Sequence, residues 1–434
     1  MKLLHANDKR GQHAASWYEA TCATPTRPTL ETDITHDVCV IGAGFTGLSA
    51  ALELAKNGTS VAVLDAHRVG WGASGRNGGQ LGSGFNQDQR SLQESLGLEN
   101  ARTLWRFCEE AKQFVHDLSA EHNFDTEYKP GIVTALHKAK FLPHTHEYCQ
   151  FMQKEYNYDA LEALDRNALN ERVRSDDYHG GAIDHGAGHI HPLKLALGMA
   201  SAAEKSGASI FEMSEVTRIE PLQQTSGYRV VTSQGSVLCE RIVLATNGYL
   251  DNLKPEVNRW IMPINNFIVV TEPLGDLAKQ LLPQDNAIAD SRFVVNYYRR
   301  VDNDRLLFGG GENYSYRFPA SIDSIVKSAM LGIFPELEKA KIDYAWGGTL
   351  AITRSRLPYA SELTRGIYTA GGFSGHGVAL AGFYGRSIAR HINGDTHAFD
   401  LLSTLPTKPF PGGAALRPAL LAVAMTGYSW LDKI

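Results

Sequence analysis

Three glycine-rich stretches hold the residues of this sequence that are best suited to chemistry, and the first is a G-x-G-x-x-G motif. Gly42, Gly44 and Gly47 follow an apolar run that ends at Ile41. In such a motif the first glycine permits a tight turn, the second lets the backbone approach a pyrophosphate, and the third lets a helix pack on the strand. Asp65 ends the next apolar run, where a carboxylate accepts hydrogen bonds from ribose hydroxyls and repels a 2′-phosphate. The motif therefore predicts a dinucleotide site with an unphosphorylated ribose.

A second glycine-rich stretch, WGASGRNGGQLGSG, occupies residues 71–84. So much glycine excludes a regular strand or helix and predicts a loop whose backbone approaches another group closely. A flexible surface loop is the alternative, but Trp71, Arg76, Asn77 and Gln80 are unusual residues for one. Because the loop follows the ribose-binding strand, we expect it to cradle a ring system.

The third stretch, GGFSGHG at residues 371–377, precedes a helix that we expect to begin near Val378. A helix N-terminus stabilises negative charge, such as the charge that a flavin ring gains on reduction. A second dinucleotide motif is the competing interpretation, but the glycine spacing does not fit it. His376 either touches flavin or substrate or is a structural histidine, and the residues leave both open. The three stretches together indicate FAD.

These stretches need elements to position them, and the apolar pattern supplies strand–turn–helix units at the front, middle and end of the chain. Between them lie short strands without intervening helices, which predict an antiparallel sheet. The predicted fold class is α/β, with a Rossmann-like FAD-binding domain and an inserted antiparallel-sheet substrate domain. The expected boundaries are an N-terminal arm at 1–35, a discontinuous FAD-binding domain at 36–110, 184–255 and 345–400, a substrate domain at 111–183 and 256–344, and a C-terminal tail with an apolar helix at 401–434.

Composition narrows the class of protein. The chain has 434 residues and a formal net charge of −5, so we expect two interleaved domains and no nucleic-acid partner. Its five cysteines are scattered without a CxxC pair, which disfavours a disulfide framework, and we expect no metal site. No stretch has the apolar length of a signal peptide or a membrane span, so a cytoplasmic protein is expected. The apolar helix of the tail either packs on the protein or a second subunit, or docks peripherally at the inner membrane face.

Four stretches together resemble the FAD-dependent amine and amino-acid oxidases of the D-amino-acid oxidase superfamily: GAGFTG at 42–47, GASGRNGGQ at 72–80, IVLATNGY at 242–249 and GGFSGHGV at 371–378. The resemblance implies a glutathione-reductase-like fold of the amino-acid oxidase type. It also implies cofactor contacts at Gly42, Ala43, Gly44, Phe45, Thr46 and Gly47 for the pyrophosphate, at Asp65 and Ala66 for the ribose and Val216 for the adenine, at Gly72, Ala73, Ser74, Gly78, Gly79 and Gln80 beside the isoalloxazine, and at Gly375, His376, Gly377 and Val378 at its pyrimidine end.

The resemblance also bears on how FAD is held. Relatives with covalent flavin carry a cysteine shortly before the last glycine turn or a histidine near the first flavin loop. Here the last cysteine is Cys239, and no histidine lies between residues 68 and 115, so we expect non-covalent FAD. One departure from the family is TRSRLP at 353–358, where many members carry a T-P-D-x-x-P-like stretch. The arginines of this stretch are either structural or place a cation near the expected pocket.

The implied reaction is oxidation of a C–N bond of an amine or imino acid to an imine, with hydride transfer to flavin N5 and reoxidation by O₂ to give H₂O₂. Within the superfamily the chain is most similar to bacterial enzymes that oxidise gamma-glutamylputrescine in polyamine catabolism, and next to L-pipecolate oxidases. A non-catalytic FAD-binding protein stays open as an alternative. An NAD-dependent dehydrogenase would need a second dinucleotide motif or a nicotinamide half-site, and the sequence offers neither.

The substrate pocket is expected to draw on the inserted sheet and the last loops. Amine oxidation on a flavin needs placement and a dry pocket, so aromatic walls and a carboxylate-binding arginine are the features to look for. Strand alternation lets only one of Tyr297 and Tyr298 face the site. The candidates are Tyr298, Arg299, Trp346, Phe373 and His376, with Tyr297, Arg354 and Arg356 as further ones.

Overall fold

The computed structural model describes residues 2–223, 226–313 and 316–411 of the chain. The apolar helix expected in the tail lies outside these ranges, beyond residue 411. No helix within the described ranges is long and apolar enough to cross a membrane.

Most strands are short apolar runs bounded by turn residues, as the sequence pattern indicates. VCVI and VAVL, which form the second and third strands, are buried at every position, as expected of parallel strands that are covered on both faces. In chain order the strands are β1 (Ile34–Thr35), β2 (Val38–Ile41), β3 (Val61–Leu64), β4 (Gln80–Leu81), β5 (Lys129–Ala135), β6 (Leu161–Leu164), β7 (Gly181–His189), β8 (Ser209–Phe211), β9 (Arg218–Pro221), β10 (Tyr228–Val231), β11 (Ser236–Cys239), β12 (Arg241–Leu244), β13 (Met262–Thr271), β14 (Ala287–Asp290), β15 (Tyr297–Val301), β16 (Arg305–Asn313), β17 (Ile342–Ile352), β18 (Tyr359–Thr364) and β19 (Ile367–Gly371).

Several helices begin at side-chain caps, which satisfy backbone N–H groups that have no partner within the helix. Ser16, Asp88 and Asp165 each accept a hydrogen bond from a backbone N–H in the first turn that follows. In chain order the α-helices are α1 (Trp17–Ala20), α2 (Phe45–Lys56), α3 (Gln89–Leu96), α4 (Leu98–Glu121), α5 (Leu142–Tyr156), α6 (Arg166–Asn170), α7 (Pro192–Lys205), α8 (Pro255–Asn258), α9 (Asp276–Leu281), α10 (Ile322–Ile333), α11 (Gly377–Ile392) and α12 (His397–Ser403).

The cofactor sheet has the strand order β18–β19–β12–β2–β3–β8, and every pair except β18/β19 is parallel. Helices α2 and α11 pack on each other at backbone contact, since a Cβ added to Gly385 would lie 2.0 Å from the carbonyl oxygen of Thr46. The carboxyl ends of parallel strands lie at one edge of a sheet, so the turns after β2 and β19 meet there. This arrangement confirms the predicted α/β class.

The second sheet has the order β17–β13–β16–β15–β14–β5–β7–β4, with β6 also paired to β7, and it is antiparallel except for β14/β5. The second glycine stretch runs from β3 of the cofactor sheet into β4 of this sheet. The expected domain boundaries at 184 and 345 fall inside β7 and β17. β7 pairs with β5 at residues 181–184 and 188–189, and β17 pairs with β13, so both boundaries fall within strands of the second sheet.

Residues 1–35 were expected to form a polar arm, and their described part is packed on the rest of the protein. Trp17 and Tyr18 of α1 are buried against the second sheet. Strand β1 pairs in parallel with β11, in a small sheet of order β1–β11–β10–β9. The arm is therefore fixed at two places before the chain enters β2.

Candidate active site

The first glycine turn joins β2 to α2, and glycine is required there for conformation and for space. Gly42 has a φ of 106°, and a Cβ added to Gly47 would lie 1.9 Å from the carbonyl oxygen of Gly42. The hydroxyl of Ser74 accepts a hydrogen bond of 3.0 Å from the backbone N–H of Phe45. The first turn and the second glycine stretch therefore form one continuous surface at the start of α2.

Asp65 ties this turn to the end of β3. Its carboxylate accepts hydrogen bonds from the backbone N–H groups of Ala43 at 2.7 Å and His67 at 2.8 Å. Burial raises the pKa of Asp65 to about 6, and the two backbone hydrogen bonds act in the opposite direction. The carboxylate thus holds the turn in shape as well as lining the space beside it.

The second glycine stretch is held by its own polar side chains and is not a loose surface loop. The side-chain oxygen of Asn77 accepts a hydrogen bond of 2.8 Å from the N–H of Gly79. Gly79 has a φ of 77°, and an added Cβ would lie 2.2 Å from the carbonyl oxygen of Ile190. Arg76 is 3% exposed and donates from Nη1 to the carbonyl oxygen of Gly347 at 3.0 Å. These contacts exclude the flexible-loop alternative.

The third glycine turn follows β19 and leads into α11. Gly372, Ser374 and Gly375 all have positive φ values, and that of Gly375 is 94°. A Cβ added to Gly375 meets no atom within 4 Å. The residue is exposed at the start of α11, so a side chain there would enter open space beside the helix N-terminus.

Two cavities meet at these turns. The first, of about 360 Å³, runs from Asp65 past the start of α2 to the third turn, and the second, of about 750 Å³, lies between the third turn and the second sheet. Both volumes fall in the range of small-molecule sites. The residues that line both cavities are Ala73, Asn77, Leu350, Ser374, Gly375 and Val378. The two cavities therefore share walls at this junction, which is where a molecule in one would approach a molecule in the other.

The structure places the expected cofactor residues in three groups. The first cavity is lined by Gly42, Gly44, Phe45, Thr46, Asp65, Ala66, Gly72, Ala73, Ser74, Val216, Gly375, Gly377 and Val378. The second is lined by Gly78, Gln80 and His376. Ala43, Gly47 and Gly79 stand behind these walls and shape the turns.

Tyr297 and Tyr298 point to opposite faces of β15, and Tyr297 is the one that faces the second cavity. Tyr297 lines the second cavity, where its hydroxyl donates to the side-chain oxygen of Asn266 at 2.5 Å. Tyr298 faces the core, with its ring stacked on that of Phe308 at 5.2 Å and its hydroxyl bonded to the hydroxyl of Tyr178. The prediction of Tyr298 as a pocket residue is therefore replaced by Tyr297.

Arg299 and Trp346 also differ from their predicted place, because both lie behind the second glycine stretch. Arg299 donates from Nε to the carbonyl oxygen of Gly78 at 3.2 Å, and the indole N–H of Trp346 donates to the carbonyl oxygen of Arg76 at 3.0 Å. A glycine-rich loop exposes many carbonyl groups, and these buried donors satisfy them. Their role is to brace the loop.

The remaining candidates divide between the cavities and the surface. Phe373 lines the first cavity and His376 the second. Arg356 also lines the second cavity, whereas Arg354 donates to the carbonyl oxygen of Pro409. Of the arginines considered for a substrate carboxylate, Arg356 is the one that faces the cavity.

Residues 37–391 match the family model described as FAD dependent oxidoreductase, DAO. The chain belongs to this family. It is 39% identical over 427 residues to the gamma-glutamylputrescine oxidoreductase of Escherichia coli strain K12, covering 98% of this chain and 99% of that protein. It is also 39% identical over 419 residues to the probable oxidoreductase OrdL of Rhizobium meliloti strain 1021, covering 96% of this chain and 97% of that protein. The glycine oxidase structure from Geobacillus kaustophilus superimposes with a TM-score of 0.70 at 23% identity, covering 85% of this chain and 97% of that one.

The geometry of the first cavity in this DAO-family chain also fits FAD. Added Cβ atoms at Gly42 and Gly47 would collide with backbone, so the turn leaves its peptide groups facing the first cavity. The start of α2 offers N–H groups and a positive dipole end to a pyrophosphate. The protein is therefore a FAD-dependent amine or amino-acid oxidoreductase.

Sequence reasoning missed a charged cluster in the wall of the second cavity. Lys112 of α4 is 4% exposed, and its ammonium group donates to the hydroxyl of Ser83 and the carbonyl oxygen of Gly186. Nearby, the hydroxyl of Tyr158 donates to Asp184 at 2.6 Å. One signal for the cluster is present in the sequence, since Lys112 falls within the apolar stripe of α4, where a cation needs a partner.

Two buried histidines, His67 behind Trp71 of the first cavity and His376 in the wall of the second, make the stability of the fold depend on pH. Burial lowers the pKa of His67 and of His376 to about 4, so both are neutral in the folded enzyme near pH 7. Both bind protons in the unfolded chain near a pKa of ~6.5, so their stabilising contribution is complete above that pH and is lost as the pH falls toward 4. We expect the melting temperature to fall steadily over this window. A His67→Phe variant should show a shallower slope in thermal scans, and a flat profile in the wild-type enzyme would contradict the assignment.

Proposed function

We propose that this enzyme oxidises the primary amine of gamma-glutamylputrescine or a closely similar acylated diamine. The observation that carries the proposal is a carboxylate in the second cavity that pairs with no cation of the described ranges. Near-full-length identity of 39% with a gamma-glutamylputrescine oxidoreductase supports the same substrate class. The substrate in question carries its reacting amine at one end and an amino-acid head group at the other.

Asp184 is that carboxylate. It accepts hydrogen bonds at Oδ1 from the hydroxyl of Tyr158 and from the N–H of Gly186. The ammonium group of Lys112, which donates to the hydroxyl of Tyr158 at 3.3 Å, is paired with Glu109 at 2.9 Å. No cation among the residues that the structure describes pairs with Asp184. A half-buried carboxylate of this kind favours a ligand ammonium group.

The position of Asp184 suits a long substrate. By the rise of an extended strand, the Cα atom of Asp184 on β7 lies about 16 Å from that of His189. His189 pairs with Gln80, which follows the glycine loop at the junction of the cavities. We therefore assign the reacting amine to the junction and the far end of a longer substrate, such as an acylated diamine, to Asp184. Arg356 lines the same cavity and offers a guanidinium group to the carboxylate of the head group.

At the reacting end, the chemistry that FAD supplies when bound is two-electron oxidation of the C–N bond, after which water hydrolyses the imine and O₂ takes the electrons to give H₂O₂. The protein supplies placement. His376 lines the second cavity, and burial lowers its pKa to about 4, so a neutral imidazole ring stands beside the reacting amine. The start of α11 directs a positive dipole end to the junction, where negative charge develops during the reaction.

The test is an H₂O₂ assay, with anaerobic bleaching of the flavin, across gamma-glutamylputrescine, putrescine, L-pipecolate, L-proline, sarcosine and D-amino acids. We expect gamma-glutamylputrescine to have the highest kcat/KM. Preference for L-pipecolate would overturn the substrate proposal and leave the amine oxidoreductase assignment in place. Bleaching by the preferred amine without H₂O₂ would show that O₂ is not the acceptor.

Non-covalent FAD is a further expectation, and the cavity walls support it. The cysteines of the chain, Cys22, Cys39, Cys108, Cys149 and Cys239, are all described, and none lines either cavity. No thiol is therefore placed to bond a flavin in the first cavity. After acid precipitation the flavin should remain in the supernatant and the pellet should be colourless. A yellow pellet would indicate a covalent bond, and His376 would then be the residue to examine by peptide mapping.

A further inference from the structure

The cofactor cavity has an outer wall that comes from the arm and not from the nucleotide-binding fold. Lys2 and Leu4 line the first cavity together with Asp65 and Val216. Leu3, between them, is 3% exposed. The segment before β1 therefore forms part of the wall of the first cavity, on the side of Asp65 and Val216.

His67 fastens this segment at two points. Its Nε2 is 3.0 Å from the carbonyl oxygen of Leu4, and its Nδ1 is 3.2 Å from the backbone N–H of Gly11. Only a neutral ring with its proton on Nε2 satisfies both bonds, because Gly11 donates and Leu4 accepts. The ring also stacks on Trp71 at 3.7 Å, and Trp71 itself lines the cavity.

Ion pairs join the same segment to Arg76 and to Glu215. Asp8 pairs at 2.8 Å with Arg76, the buried arginine of the second glycine stretch. Lys2 and His5 each approach a carboxylate oxygen of Glu215 at 2.9 Å, and Glu215 also lines the cavity. The wall is thus joined to two stretches that the nucleotide-binding fold supplies.

We propose that residues 2–11 form an outer wall of the FAD site and that His67 is the latch whose two hydrogen bonds limit how fast FAD leaves. Residues 17–21 anchor the arm independently, through Tyr18 against Arg299 and Thr21 against His191. Loosening residues 2–11 therefore leaves the anchor and the sheets in place. The inference does not depend on which amine is the substrate.

The test measures FAD release directly, by the rise in flavin fluorescence after dilution of the holoenzyme, alongside the FAD dissociation constant of the reconstituted apoprotein. One variant is His67→Phe, which keeps an aromatic ring against Trp71 and removes both hydrogen bonds. A second replaces residues 2–11 by a glycine–serine segment of equal length. Lys9→Ala, at an exposed position of the same segment, is the control.

We expect the two variants to release FAD about tenfold faster or more, and the control to match the wild type. Circular dichroism of each apoprotein reports whether the fold is retained. Release rates within twofold of wild type in both folded variants would overturn the proposal. If the segment variant alone fails to fold, the His67→Phe rate decides.

Discussion

Gly375→Val is expected to yield a folded protein that is purified without its flavin. Gly375 lines both cavities at their junction, and a Cβ added there meets no protein atom within 4 Å. The valine would instead occupy the space at the start of α11 that the cofactor needs. We expect FAD affinity to fall by about a hundredfold or more, equivalent to ~2.7 kcal/mol.

The control for this variant is Gly394→Val, because both glycines have a positive φ value that disfavours valine. Gly394 has a φ of 99°, is exposed beyond the C-terminal end of α11, and also has open space around an added Cβ. Both substitutions impose the strain of a β-branched residue at positive φ, so both should lower the melting temperature of the apoprotein similarly. Only Gly375→Val should lose FAD in an equilibrium titration. Equal FAD affinity in the two variants would show that Gly375 does not face the cofactor.

Asp184→Asn is expected to reduce kcat/KM for gamma-glutamylputrescine by about tenfold to a hundredfold, mainly through KM. The amide keeps the size of the side chain and removes the charge that we assign to binding the ammonium group of the head group. An amine with an uncharged tail should lose no more than about twofold, because it makes no ion pair at this end.

Glu162→Gln is the matched control for the loss of charge. Glu162 is an exposed carboxylate on β6, next to β7, and pairs with His185 outside the cavity. Its removal should leave the kinetics of both substrates unchanged. An equal loss for both substrates in Asp184→Asn would refute a role in substrate selection and would point to a structural role through Tyr158.

The glycine-rich turns could be predicted from the sequence because each is determined locally. Gly42 and Gly79 have positive φ values, and a Cβ added to Gly47 would meet the carbonyl oxygen of Gly42 within the same turn, so these needs for glycine are visible in residue spacing. Strand alternation likewise limited the choice at positions 297 and 298 to a single residue. The alternation does not show which of the two tyrosines faces the cavity, because that depends on which face of β15 the core covers.

The braces and the charged cluster could not be predicted, for a different physical reason. Arg299 and Trp346 lie far along the chain from the loop carbonyls that they contact. Long polar side chains can satisfy backbone groups at many places, so residue type alone does not separate a brace from a substrate contact. The packing of residues 2–11 could not be predicted for the same reason. Their polar composition suggests an exposed arm, whereas Asp8 and Leu4 contact residues in distant parts of the chain.

The wall formed by residues 2–11 also has a consequence for how the enzyme is made. Within the described residues, the last hydrogen-bond partner of this wall along the chain is Phe318, whose N–H donates to Asn7. The third glycine turn and α11 are translated only after that point. During synthesis the adenosine side of the site can therefore be finished while the ring side is still absent. Cofactor loading should then proceed in one direction, with the isoalloxazine end enclosed last.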